Sequence, residues 1–271
     1  MNPLRHLFPL CLAAAAALCA PPASADAPET GTPGVLRVAY RTDDKPVSFL
    51  QDGQPAGFMI ELMNSLAQRM GLQVTYVSTT FAAMVPAVRN HQYDTAAFGV
   101  LVTPEREAAV RFTKPVGYGQ AQLVSRKAAP LASLDAAAGK TVAVTTGSAL
   151  IPLLQKVAPQ VTVKQFPNIA SSINALLSGQ IEGLFTGNAT AERVVEQHPE
   201  LATSQTVESG INALPVAADR PALLAALDKA LAGAMTDGTY GRLFVKWNPP
   251  SASIPQRLFT DYPGMPQPPA R

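Results

Sequence analysis

One stretch of the chain, Asp94 to Phe112, carries the residues best suited to chemistry. Its first part, 95–102, is short, apolar and rich in β-branched residues, which is typical of a strand buried on both faces of a parallel sheet. Residues 103–105, Thr-Pro-Glu, then supply an N-cap, a proline at the first helical position and a first-turn acid. We therefore predict a strand end, a helix N-terminus and Arg106 at one place, where they would bind an anion. The alternative is an ordinary surface arginine.

Strands and helices alternate along most of the chain. Val35–Tyr40 is predicted as the first strand, and a helix with an i, i+3, i+4, i+7 apolar stripe follows Gly57 and ends at Gly71. After Asn248 the chain is rich in proline, and we expect it to run along the surface. The remaining predicted elements are strands over 73–77, 141–144, 161–166 and 181–185, helices over 82–90, 149–157, 169–177, 221–235 and 240–247, and a helix that follows residue 188 and runs to about 197.

The N-terminal residues predict export. A basic start is followed by an apolar run over 7–20 and by an A-x-A cleavage site that ends at Ala25, which together indicate a signal peptide over residues 1–25. The apolar run is shorter than the ~20 residues that a membrane-spanning helix needs. Cys11 and Cys19 would leave with this segment, and neither follows the small-residue box that lipid attachment requires. The expected product is a soluble, cysteine-free periplasmic protein.

Composition excludes several kinds of site. Removal of residues 1–25 leaves 246 of the 271 residues, with 20 basic and 19 acidic side chains, so no basic patch indicates nucleic acid. The histidines, His6, His91 and His198, are scattered, and without cysteine no metal-ligand spacing remains. No nucleophile-elbow, Walker or dinucleotide-binding motif occurs. We expect no cofactor, no metal and no catalytic residue in a protein of one large domain or two small lobes.

Six motifs in chain order resemble one family, the bacterial extracellular solute-binding proteins of family 3, which are periplasmic receptors of polar amino-acid ABC importers. Within that family the glutamate/aspartate-binding branch is the most similar, because its first loop also carries an arginine and its C-terminus also runs from Lys-Trp, here 246–247, into a proline-rich tail. The resemblance covers about 35–247. The motifs are GFMIELMNSLAQRMG (57–71), MVPAV (84–88), YDTAAFGVLVTPERE (93–107), RFTKPVGYGQAQLV (111–124), KTVAVTTGS (140–148) and ALLSGQIEGLF (175–185).

The resemblance implies an α/β fold of the two-lobe, type II periplasmic-binding-protein kind. The ligand cleft would lie between the lobes, which two crossing hinge strands would join. The expected units are the signal peptide (1–25), lobe one (35–118 and 214–247), lobe two (119–213) and a proline-rich C-terminal tail (248–271). A ligand that bridges the lobes would select a closed form, which a permease would recognise.

The resemblance also assigns site residues by position. Arg106 would clamp a ligand carboxylate, and Gly99 together with the loop 145–148 would offer backbone N–H and hydroxyl contacts. Phe81 would form an aromatic wall, with core packing as its alternative. Arg41 would bind a side-chain carboxylate, with a solvated loop charge as its alternative. The complete predicted set is Arg41, Asp44, Phe81, Gly99, Leu101, Thr103, Arg106, Thr145, Gly147, Ser148, Gly187 and Asn188.

Three positions depart from the family pattern. Gly187, followed by Asn188, stands where the family has the acid that holds the ligand's ammonium, and Leu101 stands where it usually has a hydroxyl. The aromatic residue of the first loop is replaced by Asp44-Lys45, and Asp43 or Asp44 could supply the missing anion. Because two arginines that face one cleft would repel each other without an anion, we predict an acidic amino acid or an amine-free dicarboxylate as the ligand.

The leading hypothesis is a monomeric periplasmic solute-binding protein that delivers this acidic ligand to an ABC permease in the inner membrane. One alternative is an exported enzyme on the same scaffold, similar to the cyclohexadienyl dehydratases, with Asp43, Asp44 or Glu105 as candidate general acids. The other is an accessory or sensory binding protein that has no permease. Activity on prephenate or arogenate would separate the enzyme from the two binding proteins.

Overall fold

The structure, a computed structural model, describes residues 28–250 and 252–270. The predicted signal peptide and both cysteines lie outside these residues. The described residues form a three-stranded parallel sheet, a seven-stranded mixed sheet and two small antiparallel sheets. The fold is therefore of the predicted α/β class.

The N-terminal part builds the first lobe around the parallel sheet. Its elements are β1 (Val35–Tyr40), β2 (Asp43–Asp44), β3 (Ser48–Gln51), β4 (Gln54–Ala56), α1 (Phe58–Arg69), β5 (Gln73–Ser78), α2 (Phe81–Arg89), β6 (Thr95–Ala96), β7 (Val100–Leu101), α3 (Pro104–Glu107) and β8 (Val110–Phe112). Strand β1 is central and pairs in parallel with β5 and with β6. Strands β2, β3 and β4 form a small antiparallel sheet beside it. The end of β1 therefore delivers Arg41 and the β2 loop to one edge of the lobe.

The middle part builds the second lobe. Its elements are β9 (Gly117–Arg126), a 3₁₀ turn (Asp135–Ala137), β10 (Thr141–Thr145), α4 (Leu150–Val157), β11 (Thr162–Phe166), α5 (Ile169–Leu177), β12 (Gly183–Gly187), α6 (Asn188–Gln197), β13 (Leu201–Thr203) and β14 (Val207–Ala213). The sheet order is β11-β10-β12-β9-β14-β7, and β13 also pairs with β9. Helix α4 packs on one face of this sheet, while α5 and α6 pack on the other.

Two antiparallel strands, β9 and β14, connect the lobes, because β14 pairs with β9 on one side and with β7 of the first lobe on the other. The chain then returns to the first lobe through three further elements, which are β15 (Pro215–Ala217), α7 (Pro221–Thr236) and α8 (Thr239–Trp247). Both helices pack against α1, and their buried side chains join those of β1 and α1 in one hydrophobic core. The residue boundaries assigned to the two lobes stay a prediction.

Local sequence signals place several of these elements where predicted. Strand β1 and helix α5 have the predicted bounds. The apolar stripe of α1 is buried, and Gly71, at φ +69°, ends the helix as expected. Gly57 has no tolerated substitute before α1, because its φ is +122° and a Cβ there would lie 2.6 Å from the Val47 carbonyl oxygen.

The single buried strand predicted over 95–102 is wrong. The chain forms two short strands instead, with β6 in the parallel sheet of the first lobe and β7 in the sheet that contains β14. Residues 97–99 carry the chain from one sheet to the other. Because this stretch is almost wholly buried throughout, its apolar pattern is the same whether the strand is continuous or broken.

The prediction of a surface-running tail is also wrong. Residues 256–261 form a helix, α9 (Gln256–Asp261), and four side chains of the tail join the core of the first lobe. These are Ile254, Leu258, Tyr262 and Met265, of which Leu258 is fully buried. The first three are spaced four residues apart, as on one face of a helix, although of these three only Leu258 lies within α9. The prolines obscured this periodicity.

Candidate ligand-binding cleft

Residues from both lobes line a cavity of about 440 Å³. Nine of the twelve predicted ligand residues line it: Arg41, Asp44, Phe81, Gly99, Leu101, Thr145, Ser148, Gly187 and Asn188. The other three, Thr103, Arg106 and Gly147, are not lining residues, but Arg106 is hydrogen-bonded to the other two and also donates to the lining residue Leu101. The chain thus brings the predicted set to one place, although the roles of the individual residues stay predictions.

Arg106 is buried beside the lining residues Leu101 and Phe81. The Thr103 hydroxyl accepts a hydrogen bond from the Arg106 N–H (3.3 Å), so the predicted N-cap is confirmed, although α3 has only four residues. The Arg106 Nη1 donates to the Leu101 carbonyl (2.8 Å) and Nη2 to the Gly147 carbonyl (3.1 Å). Burial lowers the pKa of Arg106, and Glu105 acts against this shift. An arginine stays protonated and has five N–H donors, and the other three make no hydrogen bond to the residues that the structure describes.

Phe81 lies between the core and the cavity, and its predicted role as a wall against the ligand stays a prediction. Its ring packs on Phe98 at a centroid distance of 5.4 Å, and it also lines the cavity. The guanidinium carbons of Arg41 and Arg106 lie 5.6 and 5.3 Å from its centroid. Both guanidinium groups therefore lie within cation–π distance of this ring.

Arg41 is buried but is not an unpaired cation. Its Nε and Nη2 donate to the two carboxylate oxygens of Asp43, both at 3.0 Å, and its Nη1 lies 3.8 Å from Asp44. The Ser48 hydroxyl accepts from the Arg41 backbone N–H (2.9 Å) and holds the start of the loop. The sequence-based argument for an acidic ligand assumed two arginines without anionic partners, and the structure does not meet that assumption.

The same two aspartates bridge the lobes. Asp43 Oδ2 accepts from the backbone N–H of Ile169 (3.1 Å), at the N-terminus of α5, and Asp44 Oδ1 accepts from the Thr190 hydroxyl (2.6 Å) on α6. We call these four residues the acidic latch. A carboxylate at a helix N-terminus meets unsatisfied N–H groups and the positive end of the helix dipole. Both carboxylates therefore already have partners in this structure, which are Arg41 in the first lobe and Ile169 or Thr190 in the second.

The loop 145–148 approaches the first lobe closely at Gly147. The φ of Gly147 is +77°, and a Cβ there would lie 2.6 Å from the Cα of Ala82 in α2. A side chain at this position would push the lobes apart. Glycine is therefore needed for the Gly147 carbonyl to reach Arg106.

Glu192 is a cavity residue that the sequence reasoning missed. It lies on α6 one turn after Asn188, and both residues line the cavity. Its side chain is half-buried, and it takes part in none of the ion pairs between described residues. The i, i+4 spacing from Asn188 could have identified it, because such residues share a helix face. Glu192 thus adds a carboxylate to the same cavity that Gly187 lines without one.

Two negative findings apply to the described residues. Within 28–250 and 252–270, no three His, Cys, Asp or Glu side chains come together as metal ligands would. In the same part of the chain, no helix combines the length and the apolar character that crossing a membrane requires.

Known proteins with similar sequences and structures bind amino acids. ABC transporter arginine-binding protein 1 of Escherichia coli (strain K12) is 28% identical over 200 residues, which are 71% of this chain and 82% of that protein. An ancestral arginine-binding protein bound to arginine has a TM-score of 0.75 at 32% identity, over 79% of this chain and 98% of its own. The ancestral amino acid-binding protein AncCDT-1, a precursor of cyclohexadienyl dehydratase, has a TM-score of 0.74 at 26% identity, over 80% and 96%. The sequence profile of the bacterial extracellular solute-binding proteins, family 3, matches residues 36–250, and the chain belongs to that family.

Proposed function

We propose that this protein binds an amino acid as a zwitterion in the cleft and presents it to the permease of an ABC importer. The proposal rests on two opposite charges at the cleft. Arg106 has three N–H donors that bind none of the described residues, and Glu192 lines the cavity without an ion-pair partner among those residues. A guanidinium binds a carboxylate through charge-assisted, often bidentate hydrogen bonds. Glu192 would accept from the ammonium group. The amino-acid-binding relatives support an amino acid as the ligand.

The charges of the cleft favour a ligand with one carboxylate. Arg41 and Arg106 contribute two positive charges, while Asp43, Asp44 and Glu192 contribute three negative charges. A second ligand carboxylate would have to displace an aspartate from Arg41, or stay desolvated without a cation. The acidic-ligand hypothesis thus requires the acidic latch to open, and we propose that neutral amino acids bind more tightly than glutamate, aspartate or dicarboxylates.

Isothermal titration calorimetry on the exported chain, residues 26–271, tests this proposal. The titrants are glutamine, glutamate and succinate, which share a similar length and differ in amine and charge. We expect glutamine to bind at least tenfold more tightly than glutamate, and succinate to bind most weakly because it lacks the amine. A tenfold difference corresponds to about 1.4 kcal/mol. Tight binding of succinate would contradict the zwitterion and restore the dicarboxylate hypothesis.

A matched pair of variants on α6 tests the role of Glu192. Glu192→Gln removes the carboxylate proposed to hold the ammonium, and we expect at least a tenfold loss of affinity for glutamine. Glu196→Gln is the control, because Glu196 is exposed and pairs with Arg193 on the surface. Equal affinities in both variants would show that the ammonium group binds elsewhere.

An enzyme on this scaffold is the second candidate. It is supported by the similarity to AncCDT-1, and Glu192 offers a cavity-lining carboxyl group that could act as a general acid. The earlier candidates Asp43 and Asp44 are committed to the acidic latch, and Glu105 does not line the cavity. Incubation with prephenate, followed by assay for loss of water and CO₂, decides between the two. We expect no turnover of prephenate. Turnover by the wild type that is lost in Glu192→Gln would instead establish that the protein is an enzyme.

Export and the permease partner complete the proposal. Membership of an extracellular solute-binding family supports a periplasmic location. Cleavage after Ala25 is tested by N-terminal sequencing of the protein recovered from the periplasm. Loss of amino-acid uptake on deletion of the gene would separate a transport receptor from an accessory or sensory protein.

A further inference from the structure

The C-terminal segment, residues 252–265, is an integral part of the first lobe. Four of its apolar side chains lie in the core, as described above. The segment begins just beyond residue 250, where the match to the family profile ends. Its contribution to the cleft therefore comes from a part of the chain that lies outside the match to the family profile.

Three contacts fix this segment to the start of the hinge strand β9. The Tyr118 hydroxyl donates to the Asp261 carboxylate, and the Tyr262 hydroxyl donates to the Pro115 carbonyl (2.8 Å). The guanidinium carbon of Arg257 lies 4.8 Å from the centre of the Tyr118 ring. The segment is thus held in one position against the strand that forms the floor of the cavity.

Residues before α9 line one end of the cavity. Ala252, Ser253 and Pro255 line it together with Phe58, Tyr240 and Phe244. We call this end the hinge compartment. The three aromatic rings contact one another edge to face or stacked, at centroid distances of 5.3 to 6.4 Å. The charged residues of the cavity lining, Arg41, Asp44 and Glu192, come from the first loop and from α6.

The start of strand β9 lines the cavity between the Arg106 site and the hinge compartment. A Cβ at Gly119 would lie 3.0 Å from the Leu101 side chain, and the Leu101 carbonyl binds Arg106. A Cβ at Gly117 would lie 3.6 Å from the Tyr240 hydroxyl. These glycines are two residues apart on an extended strand, a distance of about 7 Å. A large amino-acid side chain spans that distance.

We propose that the hinge compartment receives a large, uncharged side chain of the bound amino acid, such as that of phenylalanine, and that Ser253 and Pro255 form its specificity-determining wall. The inference rests on the proposed amino-acid binding. An aromatic or long apolar side chain would bury its surface against Phe58, Tyr240 and Phe244. A charged side chain would lose its hydration there without an opposite charge among the described lining residues of that end.

Calorimetric titration of residues 26–271 with phenylalanine, alanine and arginine tests the compartment. We expect phenylalanine to bind at least tenfold more tightly than alanine and more tightly than arginine. Equal affinities for phenylalanine and alanine, or arginine as the tightest ligand, would overturn this inference while leaving amino-acid binding intact. If none of glutamine, glutamate, phenylalanine, alanine and arginine binds, the proposed function itself would be overturned.

A substitution at the wall tests the role of the C-terminal segment. Ser253 is exposed at the cavity edge, so Ser253→Trp fills the compartment without disturbing the core. We expect this substitution to lower the affinity for phenylalanine at least tenfold and the affinity for alanine by less than threefold. Thr260→Trp is the control, because Thr260 is exposed on α9 away from the cavity lining, and neither affinity should change. An equal loss for both ligands in Ser253→Trp, at an unchanged melting temperature, would overturn the assignment of the wall.

Discussion

Arg106 has one structural task and one proposed task, which a lysine could not combine. Its Nη1 and Nη2 donate to the carbonyls of Leu101 and Gly147, which belong to different lobes, and we propose that its other donors bind a ligand carboxylate. The planar guanidinium can do this because its five donors have fixed directions, whereas an ammonium group is a compact point charge.

We therefore predict that Arg106→Lys weakens binding of the best amino-acid ligand by at least tenfold, about 1.4 kcal/mol, while the fold is retained. Calorimetry measures the affinity and circular dichroism the fold. Arg111→Lys is the control, because the Arg111 side chain is exposed and, among the described residues, donates to the Glu107 carbonyl alone. Unchanged affinity in Arg106→Lys would remove Arg106 from the site.

Arg41 has a structural role in this arrangement, because it compensates the charges of Asp43 and Asp44. We predict that Arg41→Ala lowers the free energy of unfolding by about 2 kcal/mol, since it leaves two partly buried carboxylates without their cation. The ratio of glutamine to glutamate affinity should stay within threefold of the wild-type value.

Urea unfolding and calorimetry measure these two effects. Arg69→Ala is a suitable control, because the Arg69–Asp237 pair is more exposed and should contribute less than about 1 kcal/mol. A variant of Arg41 that specifically loses glutamate binding would support the acidic-ligand hypothesis instead.

At the scale of elements, the acidic latch joins the β2 loop of the first lobe to helices α5 and α6 of the second. Its contacts need the lobes to be close together, so the latch favours the closed form. We predict that Thr190→Val, which removes the hydroxyl bound by Asp44 but keeps the shape, weakens ligand binding three- to tenfold through faster dissociation.

Stopped-flow kinetics measure dissociation, and small-angle scattering measures the radius of gyration without ligand, which should be larger in Thr190→Val than in the wild type. Thr162→Val is the control, because Thr162 is exposed on β11 far from the latch. Identical dissociation rates in Thr190→Val and the wild type would mean that the latch adds nothing to closure.

At the scale of the whole molecule, the first lobe buries several tyrosines whose hydroxyl groups must stay neutral. Burial raises the pKa of Tyr76, Tyr240 and Tyr262 above the ordinary value. Each folded-state pKa thus exceeds the unfolded-state pKa of about 10, so this stability is present below pH 10 and is lost as the pH rises above it.

We predict that the free energy of unfolding falls steeply as the pH rises from 10 to 12. Tyr240→Phe loses the hydrogen bond to the Val116 carbonyl (2.7 Å), so it should be less stable at pH 7 but decline less with rising pH. Urea titrations at a series of pH values give both curves. Parallel curves for the two proteins would exclude Tyr240 as a cause.

The sequence by itself determined the features that depend on neighbouring residues. The apolar stripe of α1, its glycine stop at Gly71, the bounds of α5 and the Thr103 cap all follow from periodicity and capping within a few residues. The resemblance to a family, carried by six motifs in order, further predicted the two-lobe fold. Nine of the twelve residues that it assigned to the site line one cavity in the structure.

Only the tertiary structure decided the contacts that set the charge and shape of the cleft. Asp43 meets Ile169 across 126 residues of chain, Asp44 meets Thr190 across 146, and Tyr118 meets Asp261 across 143. No local pattern encodes such partners, because periodicity and caps describe which face of an element is buried and not which distant group it meets. For that reason the sequence could place Arg41 at the cleft, but could not show that two aspartates already neutralise it.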